Sequence, residues 1–260
     1  MRSDIRRLFV WMAVFFIAMA FLESAVVVYL RALYYPEGFD FPLAPMAGSL
    51  VVTEVWREAA TLIMLLVPAA LVTRSAVERF AWFCFGFGIW DIFYYIWLKV
   101  LLGWPAGLGS RDLLFLIPVP WVGPVWAPCV VSLGMILLAL MILRARSKWA
   151  DFRVGGGSWL LLTAGALLLV ISFTLDPLRQ SFGLDALTDM ALMADSRATA
   201  FTDGRSYIPE KFPWPWFAAG CALALGAVGR IHKGPRRLMD PADVNRGGVD
   251  NLKPSRTQPR

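Results

Sequence analysis

The stretch LFVWMAVFFIAMAFLESAVVVYL, residues 8–30, decides the fold. Its 23 residues carry one charge, Glu23. As a helix rising about 1.5 Å per residue it covers about 34 Å, enough for a hydrocarbon core of about 30 Å. Arg2, Arg6 and Arg7 precede it, as they would in a signal peptide. The apolar run continues past Glu23, however, and a cut after Ala25 would put Glu23 where a small residue is wanted. The segment is expected to remain as an uncleaved first span.

Working outward, five more runs have comparable character: residues 49–72, 80–102, 122–143, 158–175 and 214–231. The expected fold class is all-α, a six-helix transmembrane bundle over residues 1–231. A disordered basic cytoplasmic tail follows over 232–260 and includes His232, the only histidine. No run alternates with period two between turn signals, which argues against a transmembrane barrel. Composition agrees. The chain has 260 residues, 58% hydrophobic and 17% charged, whereas soluble domains run near roughly 45–50% apolar and 25% charged. A soluble enzyme, a disordered chain and a disulfide scaffold all fit badly. Cys84, Cys129 and Cys221 each fall inside an apolar run without metal-ligand spacing and read as buried reduced thiols.

The net charge of +6 comes from residues at the chain ends and between apolar runs, so it speaks of orientation rather than of nucleic acid. The N-terminus, the 2–3 connection (Arg74, Arg79), the 4–5 connection (Arg144, Arg146, Lys148, Arg153) and the tail are basic. The alternate connections, including the one carrying Arg31 with Glu37 and Asp40, are neutral or acidic. This pattern puts both termini in the cytoplasm. Tyr34, Tyr35, Trp104, Trp121 and Trp214 would mark the outer interface, and Trp11, Trp82, Trp149 and Trp159 the inner one. Ala218, Ala222 and Gly226 would let span 6 approach a neighbour closely.

The informative residues are charges inside the spans. Span 1 carries Glu23; span 2 carries Glu54, Arg57 and Glu58 on one helix face; span 3 carries Asp91, Tyr95 and Lys99 at successive i+4 steps. The orientation places them in the outer half of the bilayer. Each charge at a helix centre disfavours insertion by roughly 2.5–3.5 kcal/mol, so the six should face one another or a watered cavity. Four acids against Arg57 and Lys99 leave a surplus of two negatives, which calls for protonated carboxyls or a bound cation. A purely structural ion network is the competing reading. Residues 112–128, DLLFLIPVPWVGPVWAP, carry four prolines and are expected to form an outer-leaflet or re-entrant segment before span 4 that walls the pocket. Asp112 opens that stretch and joins the candidate binding residues. The loop over residues 34–46 could cover the same opening, and residues 184–193 could lie as an interfacial helix.

No HExxH, Glu-x-x-His, GxSxG, GxxxxGK[ST] or GxGxxG pattern is present. A carboxylate-only site could hold Mg²⁺, Ca²⁺ or a monovalent cation, though no particular cofactor is indicated. The blocks GIWDIFYYIWLK (88–99), DLLFLIPVPWVGPVWAP (112–128) and LYYPEGFDFPL (33–43) resemble those of an uncharacterised family of bacterial multi-pass inner-membrane proteins. The resemblance implies that location and brings no activity with it. The reading is a membrane protein with a charged, periplasm-facing pocket that binds or translocates a small cation, a proton or a polar headgroup. Its partners are the bilayer and that ligand, not nucleic acid. The alternatives are an enzyme acting on a lipid-linked substrate, with Arg57 or Lys99 gripping a phosphate, and a non-catalytic assembly subunit.

Overall fold

The computed structural model describes residues 2–149, 152–182, 207–209 and 211–232. The expectations for residues 184–193 and for the tail from Lys233 lie outside them. Among the described residues the chain is predominantly helical: α1 (Arg2–Tyr34), α2 (Gly48–Val72), α3 (Ala76–Leu102), α4 (Trp126–Lys148), α5 (Gly156–Phe182) and α6 (Trp214–His232). Helices α1 to α5 are long and apolar enough to cross a membrane, which is the make-up of a multi-pass membrane protein. Helix α6 is shorter, with 19 residues, and takes His232 into its last turn.

Helix α3 is apolar all round, a pattern that belongs to a helix surrounded by others. It sits centrally, against α1, α2 and α4. Between helices in lipid there is little hydrophobic driving force, so close fit decides what packs. Gly86 shows this. A Cβ built there would lie 2.3 Å from the buried Phe16 ring of α1. Trp82 is buried beside Phe9 and Phe85. Large side chains such as Leu33, Trp56, Leu71 and Leu160 point outward, the surface that suits lipid. Helix α5 pairs with α6, which also touches α4. The Trp126 and Trp214 rings stack at 4.7 Å across that contact. Cys84 is buried, Cys129 and Cys221 are half-buried, and all three are free thiols.

The proline-rich stretch departs from the helical expectation. It forms an antiparallel hairpin, β1 (Arg111–Phe115) and β2 (Trp121–Pro124), pairing Asp112 with Gly123 and Leu113 with Val122. Residues 122–124 therefore belong to a strand, and α4 begins only at Trp126. Pro118 and Pro120 fall in the turn and Pro124 at a strand end, positions that ask little of a ladder N–H. Gly123 lets α5 approach: a Cβ there would lie 2.8 Å from the Phe173 ring.

The opposite end of the bundle is basic. Ser75 caps α3, its Oγ accepting from the Glu78 N–H at 3.5 Å. Glu78 accepts from Arg146 Nε at 3.0 Å and from the Thr73 hydroxyl at 2.7 Å, tying α3 to α4. Arg146 also donates to the Phe152 carbonyl at 3.1 Å.

Candidate functional site

Four elements converge at the hairpin end. On α1, Glu23, Val27 and Arg31 follow one another at i+4 and share a face. Helix α2 brings Glu54, Arg57 and Glu58, helix α3 brings Trp90, Asp91, Tyr94 and Tyr95, and β1 brings Asp112. Together they line a cavity of about 140 Å³. The loop between α1 and α2 closes its rim, held where the Ala44 N–H donates to the Tyr35 hydroxyl at 2.7 Å.

Arg57 bridges the first two helices. Its Nη1 donates to Glu23 Oε1 and its Nε to Glu54 Oε2, the latter at 2.6 Å. The Thr61 hydroxyl supplies Glu23 Oε2 at 3.1 Å. Glu58 turns the other way. Both of its oxygens lie within 3.0 Å of the Leu116 N–H in the hairpin turn, so a carboxyl of α2 pins the hairpin. Asp91 accepts from the Ser132 hydroxyl of α4 at 2.8 Å.

Arg31 is the residue that reading the sequence left among the loop charges. It is buried, its Nη2 lies 3.3 Å from Asp112 Oδ1, and its guanidinium carbon sits 3.8 Å from the Trp104 ring centre and 4.3 Å from that of Phe39. Ion pair and ring faces together hold one cation. Its i+8 spacing from Glu23 was the available signal. Asp112 is buried with it. Burial pushes this carboxyl up to about 6, and only in part does Arg31 draw it back down.

Seven of the eight candidates, Glu23, Glu54, Arg57, Glu58, Asp91, Tyr95 and Asp112, line the cavity; Lys99 does not. Lys99 lies in the last turn of α3, where its Nζ donates to the Gly103 and Pro105 carbonyls at 2.8 Å each. The helix C-terminus leaves carbonyls without intrahelical partners, and a lysine there serves them before it serves a carboxyl two turns back. Asp91, eight residues earlier on the same helix, is served by Ser132 rather than by Lys99. With Lys99 out and Arg31 and Asp112 in, five carboxyl groups face two guanidiniums, an excess of three.

Two buried polar atoms of residues that line the cavity, Arg31 Nη1 and Trp90 Nε1, find no hydrogen-bond partner among the described residues. Each belongs to a residue less than a tenth exposed. Orphaned polar groups at this depth cost about 1–3 kcal/mol apiece, which a cluster serving packing alone ordinarily avoids. Among the described residues, no three His, Cys, Asp or Glu side chains come together as a metal site would require.

Fold and site together describe a helical bundle with five bilayer-length helices and a buried, carboxyl-rich cavity at one end. No protein-family model, curated protein or solved structure matches the chain.

Proposed function

We propose that the chain is a six-span protein of the bacterial inner membrane, with both termini in the cytoplasm, that binds a small cation in the hairpin-end cavity from the periplasmic side. The observation that carries this reading is the excess of five carboxyl groups over two guanidiniums lining one cavity. In low dielectric such an excess draws in positive charge, whether a cation or protons. Helix α6 counts as the sixth span because its 19 residues cover about 28 Å, close to the hydrocarbon thickness. Trp214 and Trp216 at its start and Arg230 at its end suit the two interfaces. The basic connections on alternate sides support the orientation.

A phosphate-gripping enzyme site is favoured less. Arg57 is already engaged by Glu23 and Glu54, and Arg31 by Asp112. A purely structural network is also favoured less, since it would satisfy its own polar atoms. The test is thermal unfolding of the detergent-purified protein, followed by tryptophan fluorescence, across chlorides of Na⁺, K⁺, Mg²⁺, Ca²⁺ and alkylammonium ions at constant ionic strength. At least one cation class should raise the melting temperature, and Glu58→Gln should remove the rise. A flat response across the whole panel would refute the reading.

A further inference from the structure

Two helices of the bundle leave a cleft between them. Helices α1 and α2 each pack on α3 but hardly on one another. Arg57 and Thr61 of α2 reach across the gap to Glu23 of α1. On the hairpin side of that bridge the cavity wall turns apolar. Val27 and Leu30 come from α1, Val51 from α2, and Leu43 and Met46 from the loop between them, all half-buried. Apolar side chains left partly uncovered gain by covering an apolar body.

The charge at the base of this cleft is uneven. Arg31 and Asp112 form one ion pair and cancel, and Glu58 is taken by the Leu116 N–H. The bridge does not cancel: one guanidinium stands between Glu23 and Glu54, leaving one negative charge over. Arg57 Nε holds Glu54 Oε2, whereas Glu54 Oε1 has no partner among the described residues. That oxygen is not one of the unpartnered atoms sealed from solvent, so a ligand can reach it. Volume limits the ligand's size: about 140 Å³ is near the roughly 150 Å³ that encloses one benzene. Resting on the reading that the cavity takes a cation, we propose that the cation is lipophilic, a monovalent ammonium ion whose apolar body is about the size of one aromatic ring. Its head lies at Glu54 Oε1 and its body in the α1–α2 cleft, against Val27, Leu30 and Val51. A metal ion would leave that apolar wall uncovered, and a neutral hydrocarbon would leave the charge unmatched. Two acyl chains exceed the volume, so the occupant is a free amphiphilic amine rather than a diacyl lipid.

The experiment uses the full chain in nanodiscs, with binding read by isothermal titration and the signal of empty nanodiscs subtracted to remove partition into lipid. Across ethyl-, butyl- and hexylammonium chlorides, affinity should rise about fourfold for each methylene buried. Benzylammonium should bind, and benzyl alcohol, its neutral counterpart, should bind about tenfold more weakly or worse. Glu54→Gln keeps an acceptor for Arg57. It should weaken benzylammonium by about tenfold or more and leave benzyl alcohol unchanged. Because that variant touches the bridge, Val51→Ala provides a check that keeps every charge in place. It should reduce the rise from butyl- to hexylammonium and leave ethylammonium unchanged. If Na⁺, K⁺, Mg²⁺ or Ca²⁺ binds and affinity for the amines does not grow with chain length, this inference falls while the cation reading stands. If no cation binds, both fall. Benzyl alcohol binding as tightly as benzylammonium would make the site merely apolar and overturn the inference. Benzylammonium binding that survives Glu54→Gln would overturn the placement of the head, and a full chain-length rise in Val51→Ala would overturn that of the body.

Discussion

The two ends of the bundle both place an arginine against a glutamate, and they differ in everything around that pair. At the basic end, Glu78 and Arg146 sit 3.0 Å apart, each side chain about a quarter exposed. Thr73 and the Phe152 carbonyl complete their shells. That cluster is local and largely satisfied. At the hairpin end, charges from α1, α2, α3 and β1 line one cavity, carboxyls exceed guanidiniums, and buried N–H groups of Arg31 and Trp90 lack partners. The contrast separates a cluster that ties helices together and settles its own charges from one that leaves charge over. Packing alone is served by the first kind, since buried charge left over after pairing costs stability.

The sharpest way to break this comparison is Asp112→Ala. It leaves the buried Arg31 guanidinium without its carboxylate, with only the Trp104 and Phe39 rings beside it. Removing one partner of a buried pair typically costs about 3–5 kcal/mol. Chemical unfolding in detergent should show a loss of that size. A loss under about 1 kcal/mol, the value of a surface pair, would mean the hairpin end is wetter than its burial indicates.

Glu58→Gln comes next. A charged acceptor on the Leu116 N–H is replaced by a neutral one, and charged hydrogen bonds contribute about 1.5–3 kcal/mol. The variant should lose up to that amount, and hydrogen exchange should quicken at Leu116 more than within α3. Uniform exchange across both elements would show that Glu58 does not pin the turn.

A pH series sharpens the comparison without a stability loss to interpret. Asp112 is held near 6, above the roughly 3.9 of a free aspartate, so between these values the folded protein binds the extra proton. Stability from this group is therefore greatest at low pH and falls as pH rises from about 4 to about 6, then levels off. The charged and titratable groups around Asp112 are Arg31 from α1 and Asp91, Tyr94 and Tyr95 from α3. The difference between wild type and Asp112→Asn should show the fall. A difference that rises over the same range would reverse the sign and mean that Arg31 outweighs burial.

Much of this architecture is legible in hydropathy because lipid imposes one requirement, about 20 apolar residues satisfying their own backbone. Helices α1, α2, α3 and α5 follow from it, as do the faces carrying Glu23, Glu54, Arg57, Glu58 and Asp91. The hairpin does not. DLLFL is apolar at four of five positions, and a short apolar run reads equally as buried strand or helix. Lys99 and Arg31 depart from the expected placement for one shared reason: both have long side chains near a helix end. Periodicity reports where a Cα lies, whereas the charge of a lysine or arginine can sit a helical turn away. Lys99 reached forward to carbonyls, and Arg31 folded back onto Asp112.

The smallest expected effect tests the other half of the comparison. Arg146→Gln removes the basic-end ion pair but leaves Thr73 and the Ser75 cap on Glu78 and its helix. Solvent reaches both partners, and exposed or partly exposed pairs contribute about 0.2–1 kcal/mol, screened further by salt. The loss should stay within that range and shrink at 1 M salt, where the Debye length is about 3 Å. Asp112→Ala, whose pair is buried, should keep its cost at the same salt. If the two variants respond alike to salt, the difference in burial between the ends is not what separates them, and the Arg31–Asp112 pair would have to be reckoned part of a solvated ion network rather than a buried one.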